Sequence, residues 1–570
     1  MDIQKSYNEW LEFAKDDADV VNELNDISDD ESQIYERFYK DLEFGTAGLR
    51  GIIGAGSNRM NVYTVRKATQ GLAIYLNKKY DNPSVAISYD SRIKSDAFAK
   101  EAACVLAANE IQVYITKELE PTPVLSFAVR EHGCKAGIMI TASHNPAEYN
   151  GYKCYGEDGC QMTNKSADEV FNEIEKLDVF CDVKVCDFGS GIENGRIKYI
   201  EDKFYDEYVR NVECQRINKD AFEGARLSVV YTPLNGAGNK LVRRVLDEVG
   251  VKSVSVVKEQ ENPDGSFSTC PYPNPEIKEA LRLSIELAEK VSPDIVLATD
   301  PDSDRVGIAI LVGDKYRLFT GNEVGVLLTH YVLSCRKNQG TLCENPVVVK
   351  TIVTTPMIDA IAKDFGCEVH TVLTGFKYIG EQILLLERKK EENRFVFGFE
   401  ESYGYLAGTY VRDKDAVVAS MLICEMVAYY KKQNKSLFDV LRYLYSKYGY
   451  YEAKSVSFTF EGSAGMKKMQ CIMDSFRENL LEFIAKVKVV EIRDYLKSTA
   501  HDVVNDEFVE ITLPKSNVIS YVLENGSTVI VRPSGTEPKI KLYVTAVGDD
   551  EKSANMLLNE ILKEMEAFIK

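Results

Sequence analysis

The sequence predicts an α/β chain: three consecutive α/β units with mostly parallel, mixed sheets, followed by a C-terminal α+β domain. Three observations carry this. Short apolar runs alternate with helical patterns from Ser84 to Gly449, which is the signature of buried parallel sheet. The alternation restarts twice, near Arg226 and Pro346. In roughly the last 120 residues the pattern changes to paired strands turned at Asn525-Gly526, a hairpin signal.

Taken in order, a polar N-terminal region with helical patterning comes first. "SVAISYD" (84–90) then reads as a strand, "DAFAKEAACVLAANE" as a helix, "IQVYIT" as a strand, "TPVLSFAVREHG" as a helix and "AGIMIT" as a buried strand ending at Thr141. The second unit runs from strand "RLSVVYTPL" through helix "GNKLVRRVLDEVG", strand "KSVSVV" and helix "PEIKEALRLSIELAEKV" (275–291) to strand "DIVLATD". A third begins at "PVVVKTIVT" and continues with helix "MIDAIAKDFG", strand "EVHTVL", helix "KYIGEQILLLERKK" and strand "RFVFGF". Helices "AVVASMLICEMVAYYKK" and "SLFDVLRYLYSKYG" close it. Beyond them lie the hairpin "YVLENGSTVIVRPSG", the strand "KIKLYVTAV" and a helix from Glu551.

Composition narrows the function classes. With 570 residues, 45% hydrophobic and 28% charged, the chain is globular and long enough for several cored domains. A formal charge of −19 argues against nucleic-acid or anionic-membrane binding, because phosphates are repelled overall. A phosphate ligand would need a local basic site. The segment "MDIQKSYNEWLEFAKDD" has no basic stretch followed by an apolar core, so it does not read as a targeting peptide. No run approaches a membrane span. The 13 cysteines are scattered with no C-x-x-C, which disfavours a disulfide framework or zinc site and fits a reducing cytoplasm.

In α/β units ligands gather at the C-terminal ends of strands, and distinctive polar loops fall there. "TASHNP" places Ser143 and His144 at the mouth of the strand "AGIMIT"; such a serine can also be only a turn residue. "DPDSDR" sets Asp300, Asp302 and Asp304 at alternate positions. Their carboxylates can turn toward one point, where oxygen-only ligands suit Mg²⁺, or they can form a solvated acidic turn. "GFEESYGY" offers Glu400 and Ser402, which could hold vicinal sugar hydroxyls, and it would also pass as a plain loop. "RPSGTEPKIKLY" packs Arg532, Ser534, Gly535 and Thr536 into a turn with Lys539 nearby. Guanidinium, hydroxyl and backbone N–H groups are what a phosphate requires, although a turn at Pro533 explains the Pro and Gly.

Together and in order, these loops resemble those of the α-D-phosphohexomutase family over nearly the whole chain. "TASHNP" looks like the phosphoserine loop, "DPDSDR" the magnesium loop, "GFEESYGY" the sugar loop and "RPSGTEPKIKLY" the phosphate loop. The resemblance implies four domains around a central cleft: 1–205 with the phosphoserine loop, 206–322 with the metal loop, 323–450 with the sugar loop and 451–570 with the phosphate loop. The opening "EFGTAGLRGIIGAGSNRMN" and "FEESYGY" resemble the phosphoglucomutase/phosphopentomutase branch. Tyr403 stands where other branches more often have G-E-x-S-G-H, which leaves hexose and pentose substrates both open.

The resemblance implies that Ser143 carries a phosphoryl group, with one Mg²⁺ per chain held by Asp300, Asp302, Asp304 and an oxygen of the group on Ser143. Arg50 and Arg305 would hold phosphoryl oxygens. His144, Lys153 or Lys377 would move the proton of the attacking hydroxyl. The implied reaction is interconversion of glucose 1-phosphate and glucose 6-phosphate through a sugar 1,6-bisphosphate, with glucose 1,6-bisphosphate as activator or intermediate. Closure of a mobile fourth domain would exclude water. Phosphopentomutase is the nearest alternative. Phosphomannomutase, a metal-dependent phosphatase and a non-catalytic phosphosugar-binding protein rank lower. The expected partners are sugar phosphates, without nucleic acid, membrane or obligate protein partner, in the cytoplasm.

Overall fold

The computed structural model describes residues 2–45, 48–460, 462–534 and 539–570, with only the backbone of 462–464. The chain forms two compact units. One comprises Met1–Phe319, Gly380–Glu392 and Tyr403–Lys432; the other comprises Thr320–Ile379, Asn393–Ser402 and Gln433–Lys570.

In the first unit the N-terminal region is three short helices, Ile3–Phe13, Ala18–Asp26 and Glu31–Phe38. Each is capped by an aspartate (Asp2, Asp17, Asp30) that accepts a first-turn N–H. Trp10 meets Phe38, Tyr63 and Phe180 edge-on, closing a small apolar core. The following sheet has the expected parallel centre: Ala136–Ile140, Ser84–Tyr89, Gln112–Ile115 and Ile197–Tyr199 lie side by side. An antiparallel pair extends one edge, Tyr149–Gly156 against Ala136–Ile140 and Gly48–Ile52 against Tyr149–Gly156. Every residue of Ala136–Ile140 is buried, as its unbroken apolar pattern requires.

The second sheet is ordered Lys315–Phe319, Val306–Val312, Ile295–Thr299, Ser228–Thr232, Ser253–Val256. Ile295–Thr299 runs parallel to Ser228–Thr232 but antiparallel to Val306–Val312. The acidic loop is therefore the tight connection of an antiparallel pair. The helix expected over 275–291 spans only Arg282–Val291. Residues ahead of it serve packing instead: Gly307 lies close against the Pro275 backbone and the Glu276 carboxylate bonds to Arg305. Helix Ala416–Lys431, capped by Asp415, packs on helix Gly238–Glu248 of this unit.

Glu120 is buried at the turn before helix Thr122–Glu131, and burial pushes its carboxyl up to about 8, with Lys240 opposing and Glu118 adding to the rise. The folded chain thus binds this proton more tightly than the unfolded chain does. Its contribution is complete below the ordinary value near 4.5 and is lost progressively as pH rises to about 8. Glu120→Gln should be flatter than the native chain over that window when urea midpoints are compared at each pH.

In the second unit, Val347–Thr351 has Glu368–Val372 on one side and Phe395–Glu400 on the other, all parallel. Helix Gly321–Gln339 begins in a Thr320/Glu323 capping box and ends at Gly340, which has φ +68°. Gly325 of this helix lets the Phe399 ring approach the backbone: a Cβ there would lie 2.0 Å from Phe399 Cε2. Gly325→Ala should therefore destabilise the fold by about 1–3 kcal/mol, read as a lower urea midpoint, despite the better helix propensity of alanine.

The C-terminal sheet is antiparallel, ordered Tyr450–Thr459, Lys539–Gly548, Thr528–Pro533, Ile519–Leu523, Val487–Asp494, Thr499–Asp502, Glu507–Glu510. The Asn525-Gly526 turn joins Ile519–Leu523 to Thr528–Pro533, with Gly526 at φ +82°. Helices Gly462–Glu478 and Glu551–Ile569 contribute Met473, Phe476, Ile561 and Met565 to its core. A further apolar cluster joins Val353 and Leu373 to Tyr495, Val518, Ile530 and Tyr543. Among the described residues, no helix is long and apolar enough to cross a membrane.

Candidate active site

The first unit brings the serine and the acidic loop together. Ser143 is buried at 3% exposure, has φ +51°, and its Oγ donates a hydrogen bond of 2.8 Å to Asp300 Oδ2. Ser303, inside the acidic loop, also has φ +50°. A left-handed conformation costs a non-glycine residue roughly 1–3 kcal/mol and persists only where its surroundings impose it. Both loops meet that condition. Ser143 N–H donates to Thr141 Oγ1 (2.7 Å), and Ser303 N–H to the Asp300 carbonyl (2.9 Å).

Asp300, Asp302 and Asp304 are all essentially inaccessible, and one carboxylate oxygen from each lies within 4.8 Å of the others. Asp300 Oδ1 accepts the backbone N–H groups of Asp304 and Arg305. Asp302 is held by Thr122, whose N–H donates to its carbonyl (2.8 Å) and whose hydroxyl donates to Oδ2 (3.0 Å). Lys153 Nζ bonds to Asp302 Oδ2 at 2.8 Å and lies 3.6 Å from Asp304 Oδ2; Lys414 Nζ lies 3.0 Å from the same Asp304 oxygen. Buried Asp302 Oδ1 and Asp304 Oδ1 have no hydrogen-bond partner among the described residues.

These charges are unequal. Burial, then Asp304 and Asp302, push Asp300 well above the usual carboxylate range. Burial opposes ionisation of Asp302 too, but Lys153 outweighs it and holds this carboxyl well below that range. Three dry carboxylates with two oxygens left over after Lys153 and Lys414 are suited to a compact cation that takes oxygen ligands. The residues present therefore fit a divalent metal such as Mg²⁺.

The other predicted residues of this unit surround the serine. His144 Nδ1 is 3.2 Å from Ser143 Oγ. Burial first, then the charges of Arg305 and Arg50, hold the imidazole well below its ordinary value, so it is neutral at pH 7. Arg50 lies on strand Gly48–Ile52, opposite Gly151 on the strand that carries Lys153. Arg305 is anchored by Glu276 at 2.6 Å. Burial lowers the Lys153 ammonium but Asp302 and Asp304 raise it further, so it stands as a charged group.

In the second unit, Glu400 is buried at the C-terminal end of strand Phe395–Glu400, followed by half-buried Ser402. Glu401 accepts from Thr351 Oγ1 at 3.3 Å. Lys377 is buried on helix Phe376–Arg388, with its ammonium 5.1 Å from the Tyr378 ring centre. Arg532 closes strand Thr528–Pro533 and pairs in register with Lys541. Ser534 N–H donates to the Lys539 carbonyl at 2.7 Å. Tyr543 is hydrogen-bonded to Arg532 and feels the charges of Glu401 and Glu400, so it lies between the loop after Phe395–Glu400 and the one after Thr528–Pro533. Gly535 and Thr536 lie outside the described residues.

Several residues at this site escape sequence reading. Lys414 belongs to "RDKD" (412–415), four consecutive charged residues that are all buried. Its only signal is an alternating-charge run directly ahead of an apolar helix. Asp90 and Arg92 follow strand Ser84–Tyr89, so the strand-end rule that picked out the other loops would have reached them. Glu276 in "PNPE" and Thr122 carry no local signal.

A buried serine on an acidic cation site, flanked by lysine, arginine and a neutral histidine, is equipped for metal-assisted phosphoryl transfer. Family models support the same class. Those for phosphoglucomutase/phosphomannomutase α/β/α domains I, II and III match residues 41–179, 203–313 and 320–448, and that for the C-terminal domain matches 484–563. A phosphoglucomutase of Staphylococcus saprophyticus is 37% identical over 560 residues, 98% of each chain. One of Staphylococcus aureus is 38% identical over 541 residues, 94% of each. Among solved structures, the open form of parafusin, a Paramecium phosphoglucomutase, covers 93% of this chain and 95% of its own at TM-score 0.68 and 18% identity. A phosphoglucomutase/phosphomannomutase family protein of Burkholderia thailandensis covers 92% and 97% at TM-score 0.65 and 17% identity. The chain belongs to the phosphoglucomutase/phosphomannomutase family.

Proposed function

We propose that this chain is a phosphoglucomutase, an isomerase that interconverts glucose 1-phosphate and glucose 6-phosphate through a phosphoserine enzyme and glucose 1,6-bisphosphate. The observation that carries the reading is the 2.8 Å bond from Ser143 Oγ to Asp300 within the buried aspartate triad. The near full-length identity to chains named phosphoglucomutase supports a hexose over a pentose substrate.

Asp300, Asp302 and Asp304 would hold one Mg²⁺, together with an oxygen of the group on Ser143. When bound, the ion offsets the negative charge of the transferring phosphoryl group. Phosphate passes from Ser143 Oγ to a free sugar hydroxyl, the Ser143 oxygen–phosphorus bond breaking as the sugar oxygen–phosphorus bond forms. The other phosphate of the bisphosphate then returns to Ser143. Arg50 and Arg305 are suited to hold non-bridging oxygens. Neutral His144 can accept the hydroxyl proton, and charged Lys153 can return one; Lys377 is the third candidate for proton transfer.

Glu400 and Ser402 would hold sugar hydroxyls, while Arg532, Ser534, Gly535, Thr536 and Lys539 would hold the phosphate that is not reacting. The functional segments would be 1–205, 206–322, 323–450 and 451–570, in a cytoplasmic enzyme. Mass spectrometry tests the reading: with Mg²⁺ and glucose 1,6-bisphosphate, phosphate should appear on the Ser143 peptide. It should leave on addition of glucose 1-phosphate as glucose 6-phosphate accumulates. Faster turnover of ribose 1-phosphate in a coupled assay would move the assignment to a pentose, and net release of inorganic phosphate would move it to a phosphatase.

A further inference from the structure

We propose that Asp90, Arg92 and Thr141 form a clamp that sets the left-handed backbone of Ser143 and thereby aims its Oγ, making them positioning residues for phosphoryl transfer. The inference rests on the reading of Ser143 as the nucleophile. Both peptide groups flanking Ser143 Cα are held by side chains. On one side its N–H donates to Thr141 Oγ1 at 2.7 Å. On the other its carbonyl accepts from Arg92 Nη2.

Both tethers end on a single carboxylate. Thr141 Oγ1 donates to Asp90 Oδ2 at 2.6 Å, and Arg92 Nε lies 3.3 Å from the same oxygen. Asp90 is itself fixed by Ser95 Oγ (2.8 Å) and the Arg92 N–H (3.0 Å), both at Oδ1. The guanidinium also serves the rest of the loop, donating to the Asn145 carbonyl through Nη2 and to those of Pro146 (2.8 Å) and Tyr149 (3.0 Å) through Nη1. The Arg92 and Asp90 side chains are both 0% exposed, and the guanidinium stacks 5.0 Å from the Phe267 ring centre, which keeps water from competing for these bonds.

Rotation of Ser143 out of the left-handed region would break a bond on each side of its Cα. Oγ is therefore held toward Asp300, where the attacking geometry needs it.

Thr141→Val removes the hydroxyl and keeps the shape, while Thr141→Ser keeps the hydroxyl and loses only a methyl group. Full-length chains would be mixed with Mg²⁺ and glucose 1,6-bisphosphate and quenched, and phosphate on the Ser143 peptide followed in time alongside steady-state turnover. The expected result for Thr141→Val is loading and kcat lowered about 10- to 100-fold, KM for glucose 1-phosphate unchanged, and Thr141→Ser close to native. Arg92→Lys retains charge but cannot serve four carbonyls, and should show the same loss in kcat alone. Native rates in both Thr141→Val and Arg92→Lys would overturn the clamp. So would equal losses in Thr141→Val and Thr141→Ser, or an effect confined to KM. A native chain that never loads Ser143 would instead remove the functional reading beneath it.

Discussion

Ser143→Ala should lower glucose 1-phosphate turnover by at least roughly 10⁴-fold, because no other group stands where Oγ does. Oγ is the atom that meets both Asp300 Oδ2 and His144 Nδ1. The alanine methyl group fits a pocket already closed to solvent, so the fold should hold and KM should change little. Two measurements check this together: the coupled rate, and the mass of the 141–146 region after incubation with glucose 1,6-bisphosphate. A variant that kept even a hundredth of native turnover would place the nucleophile elsewhere.

Asp302→Asn should lower Mg²⁺ affinity at least ~100-fold, since changes to groups merely supporting metal ligands already cost 10- to 100-fold. The variant loses the negative charge on which Lys153 and Thr122 converge, and leaves the cation with one formal charge fewer to oppose it. Thermal melts with and without Mg²⁺ separate binding from chemistry. At a free concentration 100 times its Kd, a ligand of the native state adds about 2.7 kcal/mol of stability. The native melt should rise accordingly and the variant melt by no more than about 0.4 kcal/mol of stability. Equal rises would show that the triad does not hold the metal.

The elements legible in the sequence were those whose patterning is local. Ala136–Ile140 and Ile295–Thr299 are unbroken apolar runs and are fully buried strands. Asn525-Gly526 is a turn because Gly526 adopts φ +82° without penalty. The helical pattern over 275–291 is longer than the helix it forms: Ile277, Ala280, Leu281, Ser284 and Ala288 recur at helical spacing, but the helix spans Arg282–Val291. Tertiary demand overrides it, because Glu276 is needed at Arg305. The edge strand Gly48–Ile52 and its inner neighbour Tyr149–Gly156 carry no such local pattern, because glycines and polar residues interrupt them. Their pairing depends on a neighbour and not on their own alternation.

By itself the sequence determined the α/β class and the placement of the four loops, with the serine and the three aspartates on two of them, at strand ends. Each is written in a contiguous stretch whose physics is local: an apolar strand, then a short polar loop. Only the tertiary structure decided that Ser143 is left-handed and points at Asp300, that Lys414 joins Lys153 on the carboxylates, and that Asp90 meets both side chains, Thr141 and Arg92, that bond to the serine backbone. Those facts depend on groups as far apart in the chain as 51 residues for Thr141 and Asp90 and 157 for Ser143 and Asp300 meeting in a dry interior. There a single unpaired charge is costly, so the partners that cancel it are set by the fold as a whole.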